Sequence, residues 1–225
     1  MGLFDFLKKR PSAKNKSVSI LTTNLENSTQ QNVVETRSGV VSTNKVYLDT
    51  STHALLQNRF IAFDVETTGL SASTDRIIEL GAVLFENGIP MKSFSSLVNP
   101  GRAVPAAATA INHITDAMVK NAPDEENVFP EFLEFLGDAV CGNTIMCAHN
   151  ARFDFDFLGN TLSRLGFDAE LKYIDTLALS RHYFPGLANY KQCTVEYHLG
   201  LNSHSSHRAE SDAEICGKIL CRILD

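Results

Sequence analysis

From Arg59 onward the chain alternates between two hydrophobic rhythms. "RFIAFDV" (59–65), "RIIELGAVLFE" (76–86) and "MKSFSSLV" (91–98) are strand-length runs rich in aromatic and aliphatic residues, and the turn "NGIP" joins the last two as antiparallel neighbours. "PAAATAINHI" and "TDAMVK" read as short helices, the second opening on Thr115 as N-cap. In "DEENVFPEFLEFLGD" the apolar positions 128, 129, 132, 133, 135 and 136 form a helical stripe that Gly137 can end. Then "NTIMCAHN" is a strand, "ARFDFDFLGNTLSRLG" a helix, and "YIDTLALSRHYF" a short strand running into a helix capped by Asp175; "AESDAEICGKILCRIL" closes the chain as a helix. Three meander strands followed by α/β alternation predict an α/β domain, a mixed sheet with helices on both faces.

The segment before this rhythm has a different character. "MGLFDFLKKR" is a short amphipathic piece ending in a basic cluster, and Phe6 stands where an N-myristoylation signal wants Ser or Thr. From Pro11 to about Lys45 the residues are mostly Ser, Thr, Asn and Gln without a sustained period, the composition of a flexible tether. The division expected is a tail over 1–45 and a folded domain over 46–225, with the tail able to recruit a replication or repair protein. No apolar run approaches the roughly 18 residues of a membrane span, and no signal-peptide pattern opens the chain. A cytoplasmic protein is expected. The five cysteines show no C-x-x-C pair and sit mostly among apolar neighbours, which reads as buried thiols.

Charge changes the picture of possible partners. Residues 1–59 carry eight basic against four acidic side chains, so the net charge of −6 conceals a strongly acidic remainder, twelve basic against twenty-two acidic. Such a domain is a poor nucleic-acid binder unless divalent cations occupy some of its acids and reverse the local field.

The acids are arranged in a way that allows this. In "FIAFDVETTGL" (60–70), strand alternation sends Asp64 and Glu66 to the same side of the strand end. Two carboxylates so placed repel unless a cation lies between them, and hard oxygen ligands suit Mg²⁺ or Mn²⁺; alone, the pair reads equally as two acids solvated at a turn. In "HRAESDAEICGKIL", His207 precedes Asp212 by five residues, close enough for an imidazole beside a helical carboxylate to serve as general base, although Glu210, Asp212 and Glu214 could simply favour the helix N-terminus. In "HNARFDFDFL", Asp154 shares a helix face with Phe157 and Leu158, whereas Asp156 lies about 200° away. Only one of the two can join a common site, and Asp156 is the solvated one. Glu79, an acid inside an apolar strand, either satisfies backbone groups or touches the site.

"DVETTG", "HNARFDFDFL" and "HRAESDAE", in that order, resemble the three exonuclease motifs of the DEDDh superfamily, the 3′–5′ exonucleases similar to the proofreading epsilon subunit and the exonuclease domain of polymerase C. The likeness continues through "IIELGAV", "NPG", "ITDAMV" and "IDTLALSR", from about residue 60 to the C-terminus. It implies a ribonuclease H-like fold in which Asp64, Glu66, Asp154 and Asp212 hold two divalent ions, Mg²⁺ or Mn²⁺, while His207 activates water. It also implies contacts with the terminal nucleotide at Thr67 and Leu70, with His149 and Asn150 orienting neighbours or substrate at the edge of the site. The implied reaction is hydrolysis of single-stranded or frayed 3′ ends, DNA favoured, to nucleoside 5′-monophosphates in proofreading or repair. An exoribonuclease, and a non-catalytic binding or scaffold module, are the alternatives.

Overall fold

The structure is a computed structural model that describes residues 38–201 and 208–225. Six strands, β1 (Val41–Lys45), β2 (Arg59–Thr67), β3 (Ile77–Glu86), β4 (Ile89–Leu97), β5 (Met146–Ala148) and β6 (Ala169–Asp175), form one sheet in the order β1-β6-β5-β2-β3-β4. The β2-β3-β4 pairings are antiparallel and those of β2, β5, β6 and β1 are parallel, so the sheet is mixed as expected. The helices are α1 (Thr50–Asn58), α2 (Ala106–Asn112), α3 (Asp116–Val119), α4 (Glu125–Leu136), α5 (Arg152–Arg164), α6 (Thr176–Tyr183), α7 (Gln192–Leu199) and α8 (Ala209–Leu224). No helix among the described residues is long and apolar enough to cross a membrane.

Alternation along β2 decides the layering. Ile61, Phe63 and Val65 pack with the apolar stripes of α4 and α5 on one face; Phe60 and Ala62 pack with Ala213, Cys216, Leu220 and Leu224 of α8 on the other. Asp64 and Glu66 continue the second series and therefore face α8. That helix lies unusually close to the sheet. A Cβ on Gly81 would fall about 2.0 Å from the Ala209 carbonyl carbon, and one on Gly217 about 2.2 Å from the Phe85 ring. Both positions need the missing side chain for room.

Two parts of the domain differ from expectation. The stretch expected to be tether up to Lys45 contains β1, which pairs with β6 from Val41↔Ala169 to Lys45↔Tyr173. Its polar residues face outward at the sheet's edge, with a burial pattern that leaves only Val41 and Thr43 partly covered, so the strand shows no hydrophobic alternation strong enough to be read. Helices α1 and α7 likewise carry no clear apolar stripe. Thr115 does precede α3, but its side chain makes no capping bond, whereas Asp175 accepts from the Leu177 amide at the start of α6.

Candidate active site

β5 is only three residues long and pairs with β2 at Ile61 and Ala62 alone. Beyond that point β2 and β5 part, and the end of β2 is left with backbone groups that the sheet does not use. Asp154, in the first turn of α5, closes the gap: it is buried, and its Oδ1 accepts from the Val65 amide at 3.2 Å. Asp156 points outward and pairs with Arg152 at 3.5 Å, so helical geometry separates the two acids as the sequence periodicity requires.

The remaining acids meet on the α8 face. Carboxylate oxygens of Asp64, Glu66 and Asp212 lie within 4.8 Å of one another. Two features of β3 bring Asp212 there. Gly81, directly opposite Asp64 in the ladder, lets the start of α8 descend onto the strand, and Glu79, opposite Glu66, holds that start in place. Glu79 is fully buried; its Oε1 accepts from Arg208 Nε at 2.8 Å and from Nη2 at 2.6 Å, and its Oε2 accepts from the Ala209 amide at 3.2 Å. The acid inside an apolar strand is thus an anchor for α8. Gln192, at the start of α7, steadies Asp212 from the other side, donating to its carbonyl at 3.0 Å and to Oδ1 at 3.3 Å. No motif pointed to Gln192. Asn112, buried at the end of α2, donates to the Thr67 carbonyl at 3.3 Å and hydrogen-bonds Glu66.

Burial and crowding of like charges make this set weaker acids than free carboxyls. Loss of solvent, then the charges of Asp212 and Glu79, push Glu66 up to about 7. Asp64 is held well above the usual carboxylate range by loss of solvent and by Asp154, Asp212 and Glu66. Burial likewise raises Asp154, against the pull of the Val65 amide. Protons or a cation must supply the missing positive charge, and a convergent group of hard carboxylate oxygens fits Mg²⁺ or Mn²⁺.

These acids form the floor of a cleft of about 450 Å³, walled by His149, Asn150 and Phe153 on one side and by Lys191, Gln192, Cys193 and Glu196 on the other. His149 Nε2 donates to the Tyr190 carbonyl at 2.8 Å and Nδ1 meets the Thr176 hydroxyl at 3.0 Å; burial holds the ring below the usual imidazole range. Both ring nitrogens are therefore engaged in joining β5 to α6 and to the loop before α7. Asn150 adopts a left-handed conformation, φ 72°, with its amide on Asp175 Oδ1. Thr67 spends its hydroxyl on the Gly69 carbonyl at 2.6 Å, and Leu70 is 86% exposed at the turn; neither lines the cleft. Cys193, expected among the buried thiols, is exposed, in the first turn of α7 where that helix walls the open cleft. His204 and His207 lie outside the described residues.

Residues 61–220 match the family model for exonucleases, RNase_T. The chain is 40% identical over 168 residues to a DNA polymerase III subunit epsilon of Treponema pallidum, covering 73% of this chain and 76% of that protein. It is also 40% identical over 172 residues to a PolC-type DNA polymerase III of Caldanaerobacter subterraneus, covering 76% of this chain; the match spans only 12% of that polymerase's length. Among solved structures it is similar to exonuclease X in complex with 5′ overhanging duplex DNA, at 30% identity and a TM-score of 0.56, covering 73% of this chain and 89% of that one. The mixed sheet with helices on both faces is the ribonuclease H-like arrangement of DEDDh nucleases, and with the match across most of its length the chain belongs to the exonuclease family.

Proposed function

We propose that the protein is a metal-dependent 3′–5′ exonuclease that removes nucleoside 5′-monophosphates from the 3′ ends of DNA in proofreading or repair. The observation that carries this reading is the convergence of Asp64, Glu66 and Asp212 within 4.8 Å at the floor of an open cleft, with Asp154 buried beside them on the Val65 amide. DNA rather than RNA is favoured by the similarity to a polymerase III epsilon subunit and to an exonuclease solved with DNA.

Asp64, Glu66, Asp154 and Asp212 would hold Mg²⁺ or Mn²⁺, two ions by the DEDDh resemblance; such ions lower the pKa of bound water and stabilise charge on the attacking and leaving oxygens of an in-line displacement. The chain's own contribution is positioning. Gly81 and Glu79 fix where α8 begins, Gln192 orients Asp212, and the Val65 amide orients Asp154, so the four carboxylates are preset before substrate arrives. In the reaction a water oxygen bonds to phosphorus, the bond from phosphorus to the 3′ oxygen breaks, and the leaving oxygen takes up a proton. His207, five residues before Asp212, is the base proposed to accept the water's proton at a ring nitrogen. His149 is excluded from that role by its two structural bonds.

The test is hydrolysis of matched, 3′-labelled single-stranded DNA, duplex DNA and RNA by the full chain. Labelled mononucleotide should appear from DNA in Mg²⁺ or Mn²⁺ and cease in EDTA. Faster release from RNA would make the protein an exoribonuclease, and turnover in chelator would overturn the metal-dependent reading.

A further inference from the structure

Strands β2, β5, β6 and β1 are parallel and end at the same edge of the sheet. The acidic floor occupies that edge at β2, Asn150 follows β5, Asp175 ends β6 and Lys45 ends β1. A chain of contacts runs sideways along it. The Asn150 amide donates to Asp175 Oδ1 at 3.2 Å, Oδ2 of Asp175 lies 3.8 Å from Lys45 Nζ, and Lys45 Nζ stands 5.9 Å from the centre of the Tyr47 ring. Tyr47, two residues past β1, is 75% exposed. Arg152, with 86% of its side chain exposed, stands in the first turn of α5, the helix that packs against β1.

We propose that this edge is a track for single-stranded nucleic acid, with the 3′ end at the acids and Tyr47 as a platform for an upstream base, flanked by Lys45 and Arg152 for the phosphates. The proposal rests on the exonuclease reading and adds to it a binding site outside the cleft. Three considerations support it. First, the span is right: three strand spacings of about 4.8 Å put β1 some 14 Å from β2. At about 3.4 Å per stacked nucleotide that is about four nucleotides, fewer if the strand is extended. Second, an exposed aromatic beside a lysine, with an exposed arginine on the adjoining helix, is the kind of combination that holds single strands without regard to sequence, through stacking and backbone neutralisation. It stands here in a domain that is otherwise strongly acidic. Third, the cations are available. Arg152 is paired through an exposed contact to Asp156 at 3.5 Å, a surface pair that exchanges for phosphate at little cost, and Lys45, its own side chain 38% exposed, stands a long 3.8 Å from the more buried Asp175. β1 and Tyr47 precede residues 61–220, so the platform is built by this chain's N-terminal strand rather than by the part that matches the exonuclease family.

The experiment compares the full-length parent with Tyr47→Ala, Tyr47→Phe and Lys45→Ala on a small ester, thymidine 5′-monophosphate p-nitrophenyl ester, and on oligothymidylate of about 12 nucleotides, a length within the usual single-strand site size. In parallel, fluorescence anisotropy in Ca²⁺ measures oligothymidylate affinity directly. Tyr47→Ala should weaken oligonucleotide binding and raise its KM by about 5- to 140-fold, the loss of one stacked base, with kcat and ester hydrolysis unchanged. Tyr47→Phe should behave as the parent. Lys45→Ala should flatten the dependence of log K on log salt by about 0.7. Unchanged oligonucleotide affinity in Tyr47→Ala, or an equal loss on ester and oligonucleotide, overturns the track. An inactive parent would overturn the exonuclease reading instead, and anisotropy would still decide whether Tyr47 binds the strand.

Discussion

Neutralising one acid of the floor should make the metal-free protein more stable, not less. Glu66→Gln keeps the shape and the hydrogen-bonding partner at Asn112 but removes a charge that burial and the neighbouring Asp212 and Glu79 disfavour. In the folded protein the Glu66 carboxyl is pushed from an ordinary 4.5 up to about 7. The folded state therefore holds its proton more tightly than the unfolded chain, so the contribution of Glu66 to stability is fully present below pH 4.5 and is lost as the pH rises through about 7. At pH 8 the loss approaches 2.5 pK units at 1.36 kcal/mol each, about 3 kcal/mol. For a protein of this length that corresponds to about 6–12 °C in Tm. Thermal unfolding followed by circular dichroism in EDTA should thus show Glu66→Gln melting higher than the parent at pH 8 and close to it at pH 4. Adding Mn²⁺ should reverse the order, because a ligand that binds only the folded state stabilises it, and the parent binds more strongly. A variant that melts below the parent at pH 8 in EDTA would refute the charge-crowding account and make Glu66 a structural acid.

Asp154→Asn should slow hydrolysis at least about 100-fold, roughly 2.7 kcal/mol in barrier, while Asp156→Asn stays near parental; equal losses in a steady-state assay would mean that the outward pair with Arg152 has been misassigned a bystander role. His207→Ala should lower kcat by about 10²–10⁴-fold and remove the acidic limb of the pH–rate profile, and His204→Ala should preserve both; the opposite pattern would move the base to His204. Gly81→Ala forces a methyl into the Ala209 backbone, so it should destabilise by about 1–3 kcal/mol in urea unfolding and weaken Mn²⁺ binding measured by calorimetry. Parental Mn²⁺ affinity in that variant would show that α8 can retreat without carrying Asp212 away.

What the sequence determined was the content of each local period. The two-residue repeat of β2 put Asp64 and Glu66 on one side because alternation is a property of the strand itself, and the turn of α5 separated Asp154 from Asp156 for the same kind of reason. The order and spacing of three short motifs identified the family and, with it, which acids belong together. The tertiary structure decided what brings them together. Glu79 reads as an acid misplaced in an apolar strand until α8 arrives with Arg208 and the Ala209 amide, 129 and 130 residues later. Gly81 reads as a weak point in β3 until that helix needs the space. Gln192 has no pattern at all, since one side chain's hydrogen bonds to Asp212 across 20 residues leave no period in the chain. β1 was invisible for a related reason: a polar edge strand is held by backbone bonds to β6, a partner more than a hundred residues away, and those bonds do not depend on which side chains it carries. Periodicity reports the face an element buries, whereas register, close approach and edge pairing are set by the partner it meets.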